Sequence, residues 1–184
     1  GRMVAHVGVS RMKLRVKGKE FFAIQLGGVA TSPEARGQGY MRRLLGGVLR
    51  RYAETPVFLF ANDSVSDFYP KFGFSAARTM RPVARLSIDN PFEPERCTPD
   101  AAAPLAGKRR FPSAVFDVLD CRELRCFHLF GGYADRLLRL GPGLAVAAEQ
   151  CGDTLLLHEL LCDRPVDWET LAARLPFRNI RRVE

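Results

Sequence analysis

The sequence predicts an α/β protein built from two successive units, and three observations point to it. An apolar run over residues 21–31 passes through a short glycine loop into an amphipathic segment and emerges in a second apolar run ending at residue 61. A hairpin signal precedes that arrangement. A second hairpin followed by a helical segment recurs toward the end of the chain, without the glycine loop. Strand and helix signals that alternate in this way describe sheets with helices packed against them.

The elements follow in order. Val4 to Val16 is rich in alternating and β-branched apolar residues, Lys17-Gly18-Lys19 is a turn signal, and Phe21 to Thr31 reads as a strand buried on both faces. Gly27 and Gly28 inside that strand predict a bulge or a close backbone approach. Pro33 stops the strand, and Glu34 to Gly39 form a loop. Tyr40, Met41, Leu44, Leu45, Val48, Leu49 and Tyr52 then recur at helical spacing, which predicts an amphipathic helix of about four turns. Pro56 restarts the chain, and Val57 to Ala61 is a short buried strand expected beside the first.

Ser64 and Asp67 resemble a capping pair at the start of a short helix limited by Pro70 and Gly73. Phe74 to Ile88 reads as a strand region with Pro82 at an edge or bulge. Asp89 to Gly107 carries Pro91, Pro94, Pro99 and Pro104 and reads as a linker with a short helical turn. Beyond it, Gly131 to Leu140 has helical spacing, Gly143 to Gln150 and Thr154 to Cys162 form a hairpin over Cys151-Gly152-Asp153, and Asp167 to Leu175 is a helix. The expected organisation is a first domain over 1–88, a proline-rich linker over 89–107 and a second unit over 108–184.

Composition narrows the function classes. Hydrophobic residues make up 47% and charged residues 26%, as in an ordinary globular chain. No apolar run is long enough to cross a membrane as a helix, and no secretory leader is visible, so a cytoplasmic protein without a membrane partner is expected. The net charge is +8, but the basic residues are scattered: Arg36, Arg42, Arg43, Arg50 and Arg51, then Lys108, Arg109 and Arg110, then Arg174, Arg178, Arg181 and Arg182. No recognition-helix or aromatic-platform signature accompanies them, so no nucleic-acid partner is expected. The first group can serve an anionic cofactor. Cys97, Cys121, Cys126, Cys151 and Cys162 lack metal-type spacing, and His6, His128 and His158 are isolated, so free thiols and no metal are expected.

The strand–glycine loop–helix junction is a device for holding phosphate. The first backbone N–H groups of a helix lack internal partners, and the helix dipole favours negative charge there. Glycines let a phosphate approach the main chain, and Arg36, Arg42 and Arg43 supply charge nearby. The segment is not a P-loop, because no Gly-Lys-Ser/Thr follows, and it lacks the third glycine of a dinucleotide fingerprint.

Residues 28–45, with Arg36-Gly37-Gln38-Gly39-Tyr40-Met41 at their centre, resemble the acyl-CoA motif of the GNAT superfamily of N-acyltransferases. Met41 departs from the pattern, standing where Gly or Ala is usual. Residues 58–74, ending Phe68-Tyr69-Pro70-Lys71-Phe72-Gly73-Phe74, look like the family's second segment of strand, polar residue and short helix. The two motifs cover residues 20 to 85 in family order. The strand and two helices that usually open the family fold have no counterpart in this sequence.

The resemblance implies a GNAT-type central mixed sheet with flanking helices and direct transfer of an acetyl group from acetyl-CoA to a small-molecule or peptide amine. It implies that amides near Val29 polarise the thioester carbonyl, that Ala30 and Thr31 pair with the pantetheine arm, and that Gly37, Gln38, Gly39, Tyr40, Met41 and Arg42, with Arg36, hold the pyrophosphate. It makes Tyr69 the general acid for the departing thiolate, a role that suits a phenol with an ordinary pKa near ~10. Asn62 bonds the pantetheine arm or a bridging water in that scheme. Read without the family, Tyr69 is a core aromatic beside Phe68, Phe72 and Phe74, and Asn62 a turn or cap residue. No general base is evident. The wording of both motifs further resembles bacterial proteins with two tandem GNAT-like units, which makes 108–184 a degenerate partner α+β unit, or else an unrelated module. Dimers are common in the family, so a homodimer is compatible with the chain.

Overall fold

The computed structural model describes residues 1–107 and 115–184. Lys108, Arg109 and Arg110, and the expected boundary at 108, lie outside the described residues. The chain divides into two compact units, one holding residues 1–78 with the strand Phe116–Asp120, the other holding 79–107 and 122–184.

In the first unit, β1 (Ala5–Val16) and β2 (Lys19–Thr31) form an antiparallel hairpin. Its two-residue connection is Lys17-Gly18, with φ of 46° and 78°. Two positive φ values are what a type I′ turn needs, and its twist matches that of the strands it joins. The expected bulge forms: His6 pairs with Ala30 and Gly8 with Gly27, so Val7 faces both Gly28 and Val29. Gly28 sits at φ 57°, a left-handed conformation that favours glycine.

The chain then passes through a 3-10 turn (Pro33–Ala35) to α1 (Tyr40–Arg51) and β3 (Val57–Leu59), which lies parallel to β2 as expected. The sheet order is β3-β2-β1-β6, β6 being Phe116–Asp120. The core of this unit gathers Ile24, Leu26 and Leu45, with Met41, Val48 and Tyr52 from α1 packed against them. β2 is less buried than its composition predicts. Ala23, Ile24 and Leu26 are inside, whereas Phe21 and Phe22 at the hairpin end are partly exposed, Phe22 beneath the Arg11 guanidinium at 3.6 Å.

The second unit holds a six-stranded sheet in the order β4-β10-β9-β8-β7-β5. Its strands are β4 (Ala84–Ile88), β5 (Glu95–Arg96), β7 (Leu137–Gly141), β8 (Leu144–Cys151), β9 (Thr154–Cys162) and β10 (Ile180–Val183). Helices α2 (Pro99–Ala106), α3 (Arg122–Phe130) and α4 (Trp168–Ala172) cover it. Alternate residues serve opposite faces, as the pleat requires. Leu137, Ala145, Ala147 and Leu161 pack with Ala102, Ala106 and Leu129, whereas Leu138, Val146, Ala148 and Leu155 pack with Leu171 and Leu175. A strand buried on both faces reads as a continuous apolar run, which is why β8 shows no alternation.

Several boundaries differ from the sequence reading. Ala84–Ile88 pairs with β10, and so stands in the second sheet rather than closing the first domain. The stretch read as a linker contains β5 and α2, whose start is capped by Thr98. The helix expected over Gly131 to Leu140 is instead a turn followed by β7, while α3 ends just before Gly131-Gly132. Short apolar runs such as Leu137-Leu138 carry too few residues to separate the two periods. No disulfide joins any of the five cysteines, and no described helix is long and apolar enough to cross a membrane.

Candidate acyl-CoA site

The site begins where β2 and β3 part. Their parallel ladder covers Ile24 to Leu26 against Val57 to Leu59 and stops there, while β2 runs on to Thr31 still paired with β1. Past Leu26, main-chain groups of β2 that point away from β1 have no strand partner. Such groups need another acceptor or donor, and a bound amide-containing ligand can supply it. The Gly28–Val29 bulge lies in this stretch and re-aims the backbone. It is held from behind by His6, whose Nδ1 donates to the Gly28 carbonyl at 2.8 Å.

The loop after β2 is tied by the Ser32 amide, which donates to the Val4 carbonyl at 2.8 Å, and by Gln38 Nε2, which donates to the Glu34 carbonyl at 3.1 Å. Arg36 reaches back so that its Nε lies 3.4 Å from the Thr31 carbonyl. Gly37 and Gly39 adopt φ of 77° and 78°, and no atom comes within 4 Å of where a Cβ would sit on either. Gly39 is the N-cap of α1 and has no side chain to bond the helix amides, and no acidic residue stands in the first turn. The first turn of α1 therefore presents unpaired N–H groups beside Arg36, Arg42 and Arg43, an arrangement that favours an anion. Met41 turns into the core against Ile24, Leu26 and Leu45, so its departure from small residues is accommodated by packing.

Past β3, Asn62 opens a kinked 3-10 segment (Asp63–Phe72), its Oδ1 accepting from both the amide and the hydroxyl of Ser64 at 3.0 Å. The capping residue is thus Asn62 rather than the expected Ser64–Asp67 pair, and Val65 breaks the helical path at φ −130°. The Asn62 carbonyl is used locally, and its amide nitrogen is left for any ligand. Gly73, at φ 86°, ends the segment.

Tyr69 is 8% exposed, its ring set edge-on to Phe68 at 5.5 Å and Phe74 at 5.9 Å. Its hydroxyl has no hydrogen bond among the described residues, yet it is not a buried orphan. The ring is core and the oxygen is open, so both readings of Tyr69 describe part of it. Phe68, Phe72 and Phe74 pack on the same cluster as Val29 and Met41, which brings both motifs onto one core. Ala30 and Thr31 continue β2 beyond its ladder with β3.

Residues 1–77 match the family model for the acetyltransferase (GNAT) domain. Solved structures agree on the fold. Eis1 from Mycobacterium abscessus aligns with 15% identity and a TM-score of 0.54, covering 100% of this chain and 53% of that one. A conserved protein of unknown function from Enterococcus faecalis V583, described as a probable N-acyltransferase, aligns with 13% identity and a TM-score of 0.54, covering 98% and 50%. The chain spans about half the length of these proteins. No curated protein matches its sequence. Of the residues expected from sequence, Val29 and Met41 pack on one core with Phe68, Phe72 and Phe74. Sequence reasoning missed the cavity beside α1 that Arg43 and Arg50 both line, although the positions 40, 43, 44 and 50 share one helix face.

Proposed function

We propose that the protein transfers an acetyl group from acetyl-CoA to an amine by direct attack on the thioester. The observation that carries this reading is the parting of β2 and β3 beyond Leu26 and Leu59, with the Gly28–Val29 bulge inside the gap. The pantetheine arm lies along the free edge of β2 at Ala30 and Thr31, so its amides complete the unfinished ladder. The pyrophosphate sits over Gly37 to Arg42. An amide of the bulge at Val29 donates to the thioester oxygen as negative charge builds there, which is where a fixed dipole lowers a barrier most.

The attacking amine must lose a proton and the leaving thiolate must gain one. Tyr69 supplies the second proton from a hydroxyl that no other group among the described residues engages. The first leaves through solvent, since no side chain among the described residues is placed as a base. Asn62 offers its amide nitrogen to the pantetheine arm. The second unit is read as a degenerate partner of the first. Both run hairpin, helix, then a strand parallel to the hairpin's second strand: β1-β2-α1-β3 and β8-β9-α4-β10. In the second unit the residue before the helix is Asp167, and its carboxylate already accepts from the Thr170 amide at 2.7 Å. A helix start that holds its own carboxylate repels phosphate.

The test is turnover against binding in Tyr69→Phe, followed by thiol release from acetyl-CoA with a panel of amines. Loss of turnover with intact CoA binding supports the enzyme. A wild-type protein that binds CoA and acetylates none of a broad amine panel makes the domain a binding module instead.

A further inference from the structure

The second unit has an opening in the place where the first unit parts its strands. β9 and β10 run parallel, Arg182 beside Thr154 and Val183 beside Leu155, and the Leu157 amide donates to the Glu184 carbonyl at 2.7 Å. Beside the downstream end of that ladder lies an open cavity of about 660 Å³ with apolar walls from Val83, Leu156, Leu157, Trp168 and Val183. Crevices outside the carboxyl ends of parallel strands are where α/β sheets take ligands. Trp168 opens α4 as Tyr40 opens α1. Charge separates the two openings. Gly39 leaves the start of α1 uncapped, whereas the Asp167 carboxylate already accepts from the Thr170 amide at the start of α4. The ionisable side chains that line the cavity are Arg81, His158 and Glu184. Arg81 donates to Glu184 at 2.9 Å, and His158 Nε2 lies 3.0 Å from Glu149 Oε1. A charged ligand would set a new unpaired charge against apolar walls, at a cost that a neutral one avoids. His158 is a bulge residue, since Ala147 pairs with Glu159 and Ala148 with Leu157. Its ring stacks on Tyr133 at 5.2 Å, which fixes it, and Nδ1 has no hydrogen bond among the described residues.

We propose that this cavity binds a neutral aromatic small molecule with one hydroxyl or amide group, its ring against Trp168 and Leu157 and its polar group on His158 Nδ1. Apolar walls with a few placed polar groups are the ordinary make-up of a small-molecule site. Contact with an indole ring adds to the burial of apolar area, and one hydrogen bond at Nδ1 orients the ligand. Arg81 and Glu184 neutralise each other and leave no net charge to draw an ion. The site lies wholly in the second unit and stands apart from the acyl-CoA reading.

Trp168 is the only tryptophan in the sequence, so its indole N–H gives a single cross-peak in a proton–nitrogen correlation spectrum and reports on this cavity. Titration of the isotope-labelled chain with 2-naphthol is expected to move that peak saturably, with a dissociation constant of about 1 mM or tighter. 2-Naphthoate, the same ring with a carboxylate, should bind at least about tenfold more weakly. Val83→Glu changes a half-exposed position just before β4. It should weaken 2-naphthol binding by at least about tenfold while the other cross-peaks stay in place. His158→Phe keeps a ring beside Tyr133 but removes Nδ1, and should weaken it about threefold. A Trp168 peak that moves without saturating overturns the proposal. So does wild-type binding of 2-naphthoate as tight as that of 2-naphthol, or undiminished 2-naphthol binding by either variant.

Discussion

Tyr69 and Phe74 meet edge to face, their ring centroids 5.9 Å apart, so the phenol is clamped by its ring while its hydroxyl has no hydrogen-bond partner among the described residues. A clamped donor with an unused proton suits general-acid work, because packing fixes where the proton points. Tyr69→Phe keeps the ring and the clamp. Turnover should fall by about 10²–10⁴-fold, with CoA affinity and melting temperature close to those of the wild type. A variant that loses stability in step with activity would place the hydroxyl in the fold rather than in the chemistry.

The bulge makes a second prediction. Gly28 holds a φ of 57°, and a Cβ there would stand 3.3 Å from the His6 ring. Gly28→Ala should cost about 1–2 kcal/mol from the left-handed backbone alone, measured by denaturant unfolding. Turnover should fall further than that loss explains, because the amide proposed to face the thioester moves with the bulge. Activity unchanged in the folded fraction would remove the bulge from the mechanism.

At the closed end of the same hairpin, hydrogen bonds from Lys13 and then Arg15 hold the Glu20 carboxyl at about 2, below its ordinary 4.5. A carboxylate with a depressed pKa contributes stability that is complete above its unfolded value and disappears as pH falls through its folded value. Thermal melts of wild type and Glu20→Gln should therefore differ by a constant amount above about 4.5 and converge between 4.5 and about 2. The group is exposed, so ~1 M salt should shrink the difference. A difference that persists at low pH would mean the hairpin owes nothing to this charge.

Much of this was legible in sequence, and particular residues show why. Lys17-Gly18 and Gly28 each need backbone that few residues adopt, so their types announce a turn and a bulge. The glycine loop and Tyr69 lie in contiguous motifs and were found at the expected junctions. What was lost is long-range. β4 is paired with β10 nearly a hundred residues on, and β6 returns to β1 from beyond the second unit's first helix; local composition carries no record of such pairings. Phe116–Asp120 also sits beside residues outside the described chain. Asn62 rather than Ser64 became the cap because its carbonyl reaches both groups of Ser64, a choice that spacing alone leaves open.

The second unit makes its own prediction. Hydrogen bonds from the Thr170 amide and then its hydroxyl lower the Asp167 carboxyl. Asp167→Ala should lower the melting temperature by a few degrees, since it removes a helix cap, and the deficit should fade as pH drops below the usual carboxylate range. CoA affinity should not change, because the helix start proposed to hold phosphate is the one capped by Gly39. A change in CoA affinity would mean that the second unit shares the cofactor.

The central claim is that the open amides after Gly39 hold the pyrophosphate of acetyl-CoA. Titration calorimetry with acetyl-CoA, on wild type and on a Gly39→Glu variant shown to be folded by its far-ultraviolet spectrum, tests it most directly. Gly39→Glu places a carboxylate where the phosphate should sit. Wild type should bind acetyl-CoA at micromolar concentration, and binding should vanish in the variant. Wild-type protein that is folded and binds no acetyl-CoA, or a variant that binds it as tightly, would contradict it.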